Sequence, residues 1–379
     1  MKVTSKKAAP LYICIPAYHE TELEKALMDL ASNEGEFEVW VHLNSLESDQ
    51  EAQLFNASQY EALQGLSKQL HYPLNVIHSV FSDKEGGVGL ARKILMDTVV
   101  DHCTAINHTD CILACLDGDC RVNENYTQEI IRHFSKNKDT PACSINFEHP
   151  VAPSENIEPP IAAYESHLRL YRQHLRFMGH PYAFHTVGSS MACRLTAYVK
   201  QGGMNTKKAG EDFYFLNKLM HLGGFSECFE TTVYPSARIS TRVPFGTGRA
   251  MEEVKQGKVL DTYHSAIFDV LKNWVDSTLF GGKLKYQEEL NHLDALFGWK
   301  KDWEVIQQNT ACEDQRVKRF FQKFDLFHTM KFIHALRDYK YPNQNLDEAF
   351  QKLCIKMSIN YKKGWYYRLS CLRDLDKSS

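Results

Sequence analysis

Five short apolar runs alternate with amphipathic stretches over the first 150 residues of this chain of 379 residues. The runs predict β-strands over 11–15, 37–43, 74–80, 111–116 and 143–147. The stretches that follow the first three runs predict helices over 21–31, over 49–69 and, beyond Gly89, as far as Val100. Strands that alternate with helices form βαβ units, because a parallel partner is reached only through a long crossover. The sequence therefore predicts an α/β fold with a mainly parallel sheet flanked by helices.

Later in the chain the pattern becomes mostly helical. Helices are predicted over 161–177 and over 211–222, the second between two short strands. After Arg249, apolar residues recur at helical spacing over 259–279, 284–297 and 313–339. The last stretch predicts a helix that packs on the first domain through Phe320, Phe321, Phe324, Phe327, Met330 and Ile333. Since single cores stop growing near ~250–300 residues, we expect one domain over 1–248 and a helical C-terminal region over 249–379.

Charge and cysteine usage exclude several classes of protein. A formal net charge of -3 gives no indication of a surface that binds nucleic acid. The eleven cysteines are scattered without a CxxC pair, and no signal peptide precedes them. Reduced thiols in the cytoplasm are therefore expected. No apolar run reaches the ~20 residues that span a bilayer.

An acidic turn, Asp117-Gly118-Asp119, directly follows the predicted strand 111–116. Open α/β sheets bind ligands at the carboxyl ends of their strands. Two carboxylates on one tight turn are hard ligands, which suit Mg²⁺ or Mn²⁺ shared with a diphosphate. A solvated Asp-Gly turn is the alternative reading. An EF-hand is excluded, because its sixth and twelfth positions would be Val122 and Gln128 instead of Gly and Glu.

The first strand leads into Ile15-Pro16-Ala17-Tyr18-His19-Glu20, at the edge where a nucleotide would meet the sheet. A strand-to-helix turn, with Glu20 as a favourable charge at the helix N-terminus, is the alternative.

A glycine-bearing segment, Gly86-Gly87-Val88-Gly89-Leu90-Ala91-Arg92, follows the third strand. It lacks the Lys-Ser/Thr of a P-loop, and Arg92 stands where a dinucleotide fingerprint needs a small residue. A dehydrogenase is therefore disfavoured. We expect this segment to bring Arg92 near a phosphate or an aspartate.

Two further groups of charged residues are candidates for chemistry. Glu211 and Asp212 open a predicted helix, where they complement its dipole or supply a general base. Arg238 and Arg242 lie four residues apart before a glycine-bearing loop. The arginine fork matches phosphate oxygens, and solvated surface arginines are the alternative.

The order of these motifs resembles glycosyltransferase family 2 on the Rossmann-like GT-A fold. The order is IPAYHE, GVGLARK, LDGD, VGSSMACR and GED, and the resemblance covers about Leu11 to Val233. It implies a nucleotide diphosphate sugar as donor and Mn²⁺ or Mg²⁺ as cofactor. It also implies donor-binding roles for Pro16, Ala17, Tyr18, Glu20, Arg92, Asp117, Gly118, Gly188, Ser189, Arg238 and Arg242.

The resemblance assigns more specific roles to some of these residues. Asp119 binds the divalent ion, and Asp117 contacts ribose or the water shell of the metal. Gly188 and Ser189 lie under the donor sugar or the acceptor. Asp212 takes the proton from the acceptor hydroxyl, with Glu211 as its rival, and the anomeric centre is inverted.

The chain departs from the family pattern at two places. The second strand ends in His42-Leu43-Asn44-Ser45-Leu46-Glu47, where the family has aspartates, so Asn44 or Glu47 is the candidate contact to the base. Lys93 stands where asparagine is usual. These departures leave the donor nucleotide open.

The sequence therefore predicts a cytoplasmic, metal-dependent glycosyltransferase whose acceptor is a glycan, a lipid-linked glycan or a small molecule. A degenerate nucleotide-sugar-binding protein and a sugar-1-phosphate nucleotidyltransferase are the alternatives. The second is disfavoured because its glycine-rich loop should follow the first strand. The basic and aromatic segment 361–368 is a candidate for peripheral contact with an anionic membrane.

Overall fold

The computed structural model describes residues 8–152, 157–237 and 260–378. The chain forms two compact units. The first combines residues 1–150 with 186–249, and the second combines residues 151–185 with 250–379. A segment from the middle of the sequence therefore belongs with the C-terminal residues.

The first unit is built on one mixed sheet of eight strands. The strands are β1 (Leu11–Ala17), β2 (Phe37–Leu46), β3 (Leu74–Phe81), β4 (Ile112–Cys115), β5 (Arg121–Val122), β6 (Ala142–Phe147), β7 (Met191–Arg194) and β8 (Ser226–Tyr234). Their order across the sheet is β3-β2-β1-β4-β7-β6-β8-β5. The pairs β3/β2, β2/β1, β1/β4 and β6/β8 are parallel, whereas β4/β7, β7/β6 and β8/β5 are antiparallel.

Helices make up most of the remaining described structure. They are α1 (Leu23–Leu30), α2 (Gln50–Leu66), α3 (Val88–Ala105), α4 (Tyr126–Lys136), α5 (Pro160–Phe177), α6 (Leu195–Lys200), α7 (Glu211–Met220), α8 (Ser265–Phe280), α9 (Gln287–Phe297), α10 (Trp299–Gln308), α11 (Glu313–Lys323), α12 (Leu326–Tyr339), α13 (Leu346–Met357) and α14 (Trp365–Lys377). The predicted α/β class with a helical C-terminal region is confirmed. None of the helices among the described residues is both long and apolar enough to span a bilayer.

Burial of β1 fixes the centre of the sheet. All seven residues of β1 are buried, because the strand is paired on both edges and covered on both faces. Leu23, Leu27 and Leu30 of α1 belong to the core cluster that covers it. The carboxyl end of β1 therefore stands on a rigid support.

The second unit has an aromatic core around Trp274 of α8, whose side chain is buried. The rings of Trp299, Phe320, Phe324 and Phe332 lie with their centroids 4.8 to 5.5 Å from that of Trp274. The stretch predicted as helical over 313–339 is two helices, which is a correction. The break falls at Phe324-Asp325, because the Asp325 carboxylate caps α12 by accepting the N–H of His328 at 2.9 Å.

A buried polar cluster joins α5 to α14 within the second unit. The Asp376 carboxylate accepts hydrogen bonds from Arg169, from Arg172 at 2.5 Å and from Gln173 at 2.6 Å, and His185 Nε2 lies 2.8 Å away. The charges of His185 and Arg169 hold the pKa of Asp376 well below its usual range, although burial alone would raise it. Charge pairing therefore fixes the last helix.

The predicted membrane-contact segment runs into the start of α14. Arg368, its last basic residue, is buried and pairs with Asp347 and Glu158. Lys362 and Lys363 are exposed. Contact with a membrane stays a prediction that rests on these two lysines and the neighbouring aromatic residues.

Candidate functional site

The strand ends of β1 and β4 bring two of the predicted motifs together. The strands are parallel neighbours with Cys14 opposite Cys115, so the residues that follow them emerge at one edge of the sheet. Gly118 packs directly on Glu20: a Cβ added to Gly118 would lie 2.9 Å from Glu20 Cγ. A larger residue between the two aspartates would displace the Glu20 side chain, so glycine suits this position.

The antiparallel strand β7 brings a third motif to the same edge. Met191, the first residue of β7, lies opposite Cys115, the last residue of β4. Gly188 and Ser189 precede β7 and are buried, Gly188 against Arg92 and Ser189 beside Cys120 of the acidic turn. The sequence pattern pointed to these two residues, but their position depends on a pairing between strands far apart in the chain.

Arg92 of α3 connects three of the motifs. Its side chain is buried, Nη2 donates to Asp117 Oδ1 at 2.5 Å, and Nη1 donates to Glu211 Oε1. Gly188 covers the guanidinium, since a Cβ on Gly188 would lie 2.9 Å from Arg92 Cζ. Burial alone would lower the pKa of Arg92, but the charges of Asp117 and Glu211 raise it above its ordinary value. The guanidinium is therefore a permanent cation at the centre of the site.

The acid pair stands at the start of α7. Gly210 precedes it in the left-handed conformation with φ of 69°, which favours glycine. Glu211 is buried against Arg92, whereas Asp212 is half-buried and accepts the N–H of Phe213 at 2.7 Å. Burial raises the pKa of both carboxyls, and the charge of Arg92 opposes this rise. Both acids hold protons more strongly than ordinary carboxyls.

The acidic turn has the donor atoms for a hard cation. Oxygens of Asp117 and Asp119 and the thiol of Cys120 lie within 4.8 Å of one another. Burial, together with the charges of Asp117 and Asp119, raises the pKa of Cys120, so it stays a neutral thiol. The two carboxylates are left as ligands, and this oxygen set fits Mg²⁺ or Mn²⁺.

The glycines of the Gly86–Gly89 segment are explained by close chain packing. A Cβ on Gly89 would lie 2.9 Å from the backbone oxygen of Asn205, and a Cβ on Gly87 would lie 3.0 Å from Lys208 Cα. The segment therefore lets the start of α3 pack against the loop before α7. Arg92 lies near an aspartate, which is one of the two placements expected from the sequence.

The predicted nucleoside side of the site is held by hydrogen bonds. Pro16 and Ala17 are the last two residues of β1 and are buried. The hydroxyl of Tyr18 donates to Asp49 Oδ2 at 2.6 Å, and Asp49 also caps α2 by accepting the N–H of Ala52. The ring of His19, whose φ is 46°, lies 4.4 Å from that of Phe55.

Asn44 and Gln59 hold the backbone of the first motif. Asn44, a predicted base contact, donates to the carbonyls of Ala17 and His42 at 2.9 and 3.2 Å. Gln59 of α2 donates to the carbonyl of Glu20 at 2.7 Å. Sequence reasoning missed Gln59 and Asp49. For Asp49 the signal was present, since Asp49 is the first residue of the helix predicted over 49–69 and aspartate is a common N-cap.

Arg238 and Arg242 lie outside the described residues. Their predicted contact with a diphosphate stays a prediction.

No family model matches the chain, and no curated protein matches it by sequence. Two solved structures are similar to it in fold at low identity. S. aureus TarS has a TM-score of 0.41 and 13% identity over 86% of this chain, which spans 55% of the length of TarS. The mannosyltransferase PcManGT from Pyrobaculum calidifontis, solved with GDP-Man and Mn²⁺, has a TM-score of 0.39 and 12% identity over 97% of this chain and 85% of its own.

Similarity this low leaves the function of the chain to be inferred from its own residues. Membership of glycosyltransferase family 2 stays a prediction from the motif order.

Proposed function

We propose that this chain is a metal-dependent glycosyltransferase that moves a sugar from a nucleotide diphosphate sugar to an acceptor hydroxyl, with inversion. One observation carries the proposal. The acidic turn, Glu20, Gly188-Ser189 and the acid pair of α7 meet at the carboxyl edge of the sheet. Transfer of a sugar from a diphosphate needs a cation for the leaving group and a base for the attacking hydroxyl. This edge has candidates for both.

The donor is assigned to the acidic turn. Asp119, with Asp117, would hold Mn²⁺ or Mg²⁺, and the bound ion would offset the negative charge that develops on the leaving diphosphate. Pro16, Ala17, Tyr18 and Glu20 would line the nucleoside side, and Gly188 and Ser189 would lie under the sugar. Arg238 or Arg242 would add charge at the diphosphate.

The acceptor is assigned to the start of α7, with Asp212 as the general base. Asp212 is the more accessible acid of the pair, whereas Glu211 is buried in an ion pair with Arg92. A raised pKa suits a general base, because catalysis is most efficient when the pKa approaches the working pH. A base on one face of the sugar and a leaving group on the other give inversion in one displacement.

The direct test is a panel of nucleotide diphosphate sugars incubated with the protein, with Mn²⁺ or with chelator. We expect release of the nucleoside diphosphate from at least one donor, with Mn²⁺ only. Binding without release would leave a nucleotide-sugar-binding protein. Formation of a nucleotide sugar from a nucleoside triphosphate and a sugar 1-phosphate would indicate the nucleotidyltransferase instead.

Replacing Asp119 by asparagine should abolish the Mn²⁺-dependent part of donor binding, because the turn loses a charged oxygen ligand. Thermal unfolding with and without Mn²⁺ and nucleoside diphosphate measures this. A ligand at roughly 100 times its Kd stabilises by about 2.7 kcal/mol, and the variant should lose that increment. Asp110→Asn is the matched control, since the Asp110 side chain is 98% exposed and precedes β4. An Asp119→Asn protein with unchanged metal dependence would exclude Asp119 as a ligand.

A further inference from the structure

The position of Arg92 differs from that of an arginine that binds a phosphate. Its side chain is 4% exposed, one face of the guanidinium lies against Gly188, and its two Nη atoms are bonded to two different acids. The guanidinium donors that would bind phosphate oxygens are therefore already hydrogen-bonded to carboxylates.

The two acids belong to different halves of the proposed site. Asp117 is part of the acidic turn after β4, and Glu211 begins α7, 119 residues beyond Arg92. α3 carries the guanidinium between them. We infer that Arg92 is a positioning residue that links the metal-binding turn energetically to the acid pair, through one guanidinium shared by Asp117 and Glu211. This inference rests on the proposed function of the same site.

The charges around Arg92 give this link a direction. The carboxyls of Asp117, Glu211 and Asp212 all interact with the charge of Arg92, and Asp119 lies beside Asp117 on the acidic turn. One positive charge therefore faces up to three negative charges, with a fourth close by. Arg92 competes with a metal ion for Asp117, and Glu211 weakens this competition because it holds the other end of the fork. Removing the charge of Glu211 leaves the guanidinium to Asp117 alone, so it should weaken the binding of a cation at the turn.

Arginine is needed for this arrangement, since a point charge cannot reach both acids. Lysine has one ammonium group, whereas the planar fork of arginine presents donors in two directions. Arg92→Lys therefore keeps the charge but should lose the link. The lysine variant therefore distinguishes the geometry of the Arg92 fork from the effect of its positive charge alone.

The test measures Mn²⁺ affinity by electron paramagnetic resonance of the free ion, with Mn²⁺ alone as the probe. Glu211→Gln should weaken Mn²⁺ binding roughly threefold or more, the effect expected of residues in one ion-pair network. The same substitution should have no measurable effect on Mn²⁺ affinity in an Arg92→Met or an Arg92→Lys background. Lys93→Met is the control for Arg92→Met, because Lys93 is the next residue and pairs with Asp97 on α3.

If Glu211→Gln weakened Mn²⁺ binding equally in all backgrounds, the inference would be overturned, because Arg92 would not couple Glu211 to the metal-binding turn. Thermal unfolding without metal is the second readout. The double variant Arg92→Met/Glu211→Gln should be more stable than Arg92→Met, in which Glu211 is buried without its cation. A double variant no more stable than Arg92→Met would also overturn the inference. If the wild-type protein did not bind Mn²⁺, the metal site of the proposed function would be wrong. The stability comparison would then still test whether Arg92 is the counter-ion of Glu211.

Discussion

Replacing Asp212 by asparagine is expected to lower the rate of sugar transfer by roughly 10²–10⁴-fold, the usual cost of losing a positioned general base. Donor affinity should change little, because the base acts on the acceptor. Asp212 is half-buried at the start of α7, and its carboxylate accepts the N–H of Phe213. Asparagine keeps the size and this hydrogen bond but cannot take a proton. The measurement is single-turnover transfer with saturating donor.

The control for Asp212→Asn is Glu211→Gln, which should change metal affinity more than the rate of transfer. Burial raises the pKa of Asp212, although Arg92 opposes it, so the wild-type rate should fall as the pH drops through that raised pKa. The fall should begin at a higher pH than for an ordinary aspartate. Retained transfer by Asp212→Asn, or a product with the anomeric configuration of the donor, would contradict the single displacement and indicate a retaining enzyme.

Replacing Asp376 by asparagine is expected to reduce the free energy of unfolding of the second unit by about 3–5 kcal/mol, the cost of breaking a buried ion pair by removing one partner. The Asp376 side chain is fully buried and accepts bonds from Arg169, Arg172 and Gln173. Without its charge these two arginines stay buried and lose a counter-ion. Urea unfolding followed by tryptophan fluorescence measures the change.

Trp274, Trp299, Trp303 and Trp365 lie in the second unit, so fluorescence reports mainly on it. Asp374→Asn is the matched control, since Asp374 is exposed on the same helix. The pKa of Asp376 is lowered in the folded protein. Its contribution should therefore be present at neutral pH and be lost as the pH falls below the ordinary range for aspartate. If Asp376→Asn lowered the free energy of unfolding no more than Asp374→Asn does, the cluster would contribute nothing to stability.

The fold class could be predicted from the sequence because the strands of the first half are short apolar runs separated by amphipathic stretches. Helix α4 was missed. Its buried apolar residues Tyr126, Ile130 and Phe134 lie four positions apart, and apart from Ile131 the positions between them are polar. The antiparallel partner β7 is four residues long. Its pairing with β4 depends on contacts far apart in sequence, which local patterns do not encode.

The same limit applies to the site. Local motifs singled out four acids, because carboxylates at the ends of strands and helices can be recognised from the sequence alone. They are Asp117, Asp119, Glu211 and Asp212. Arg92 was also singled out and expected near a phosphate or an aspartate. Its pairing with Glu211 was not predicted, because the two residues lie 119 positions apart in the chain. The position of α5 in the second unit was hidden for a similar reason. Its arginines suggest a solvated face until Asp376, about 200 residues later, is seen to pair with them.

The most direct test of the central claim is a crystal structure with Mn²⁺ and a nucleoside diphosphate, with anomalous scattering used to locate the metal. We expect one strong manganese peak within bonding distance of an Asp119 oxygen, with the diphosphate on the same ion. Among the described residues, His133, Cys228 and Glu230 form the other group close enough to hold a metal. A manganese ion there, with the Asp117–Asp119 turn empty and the diphosphate elsewhere, would contradict the proposed function.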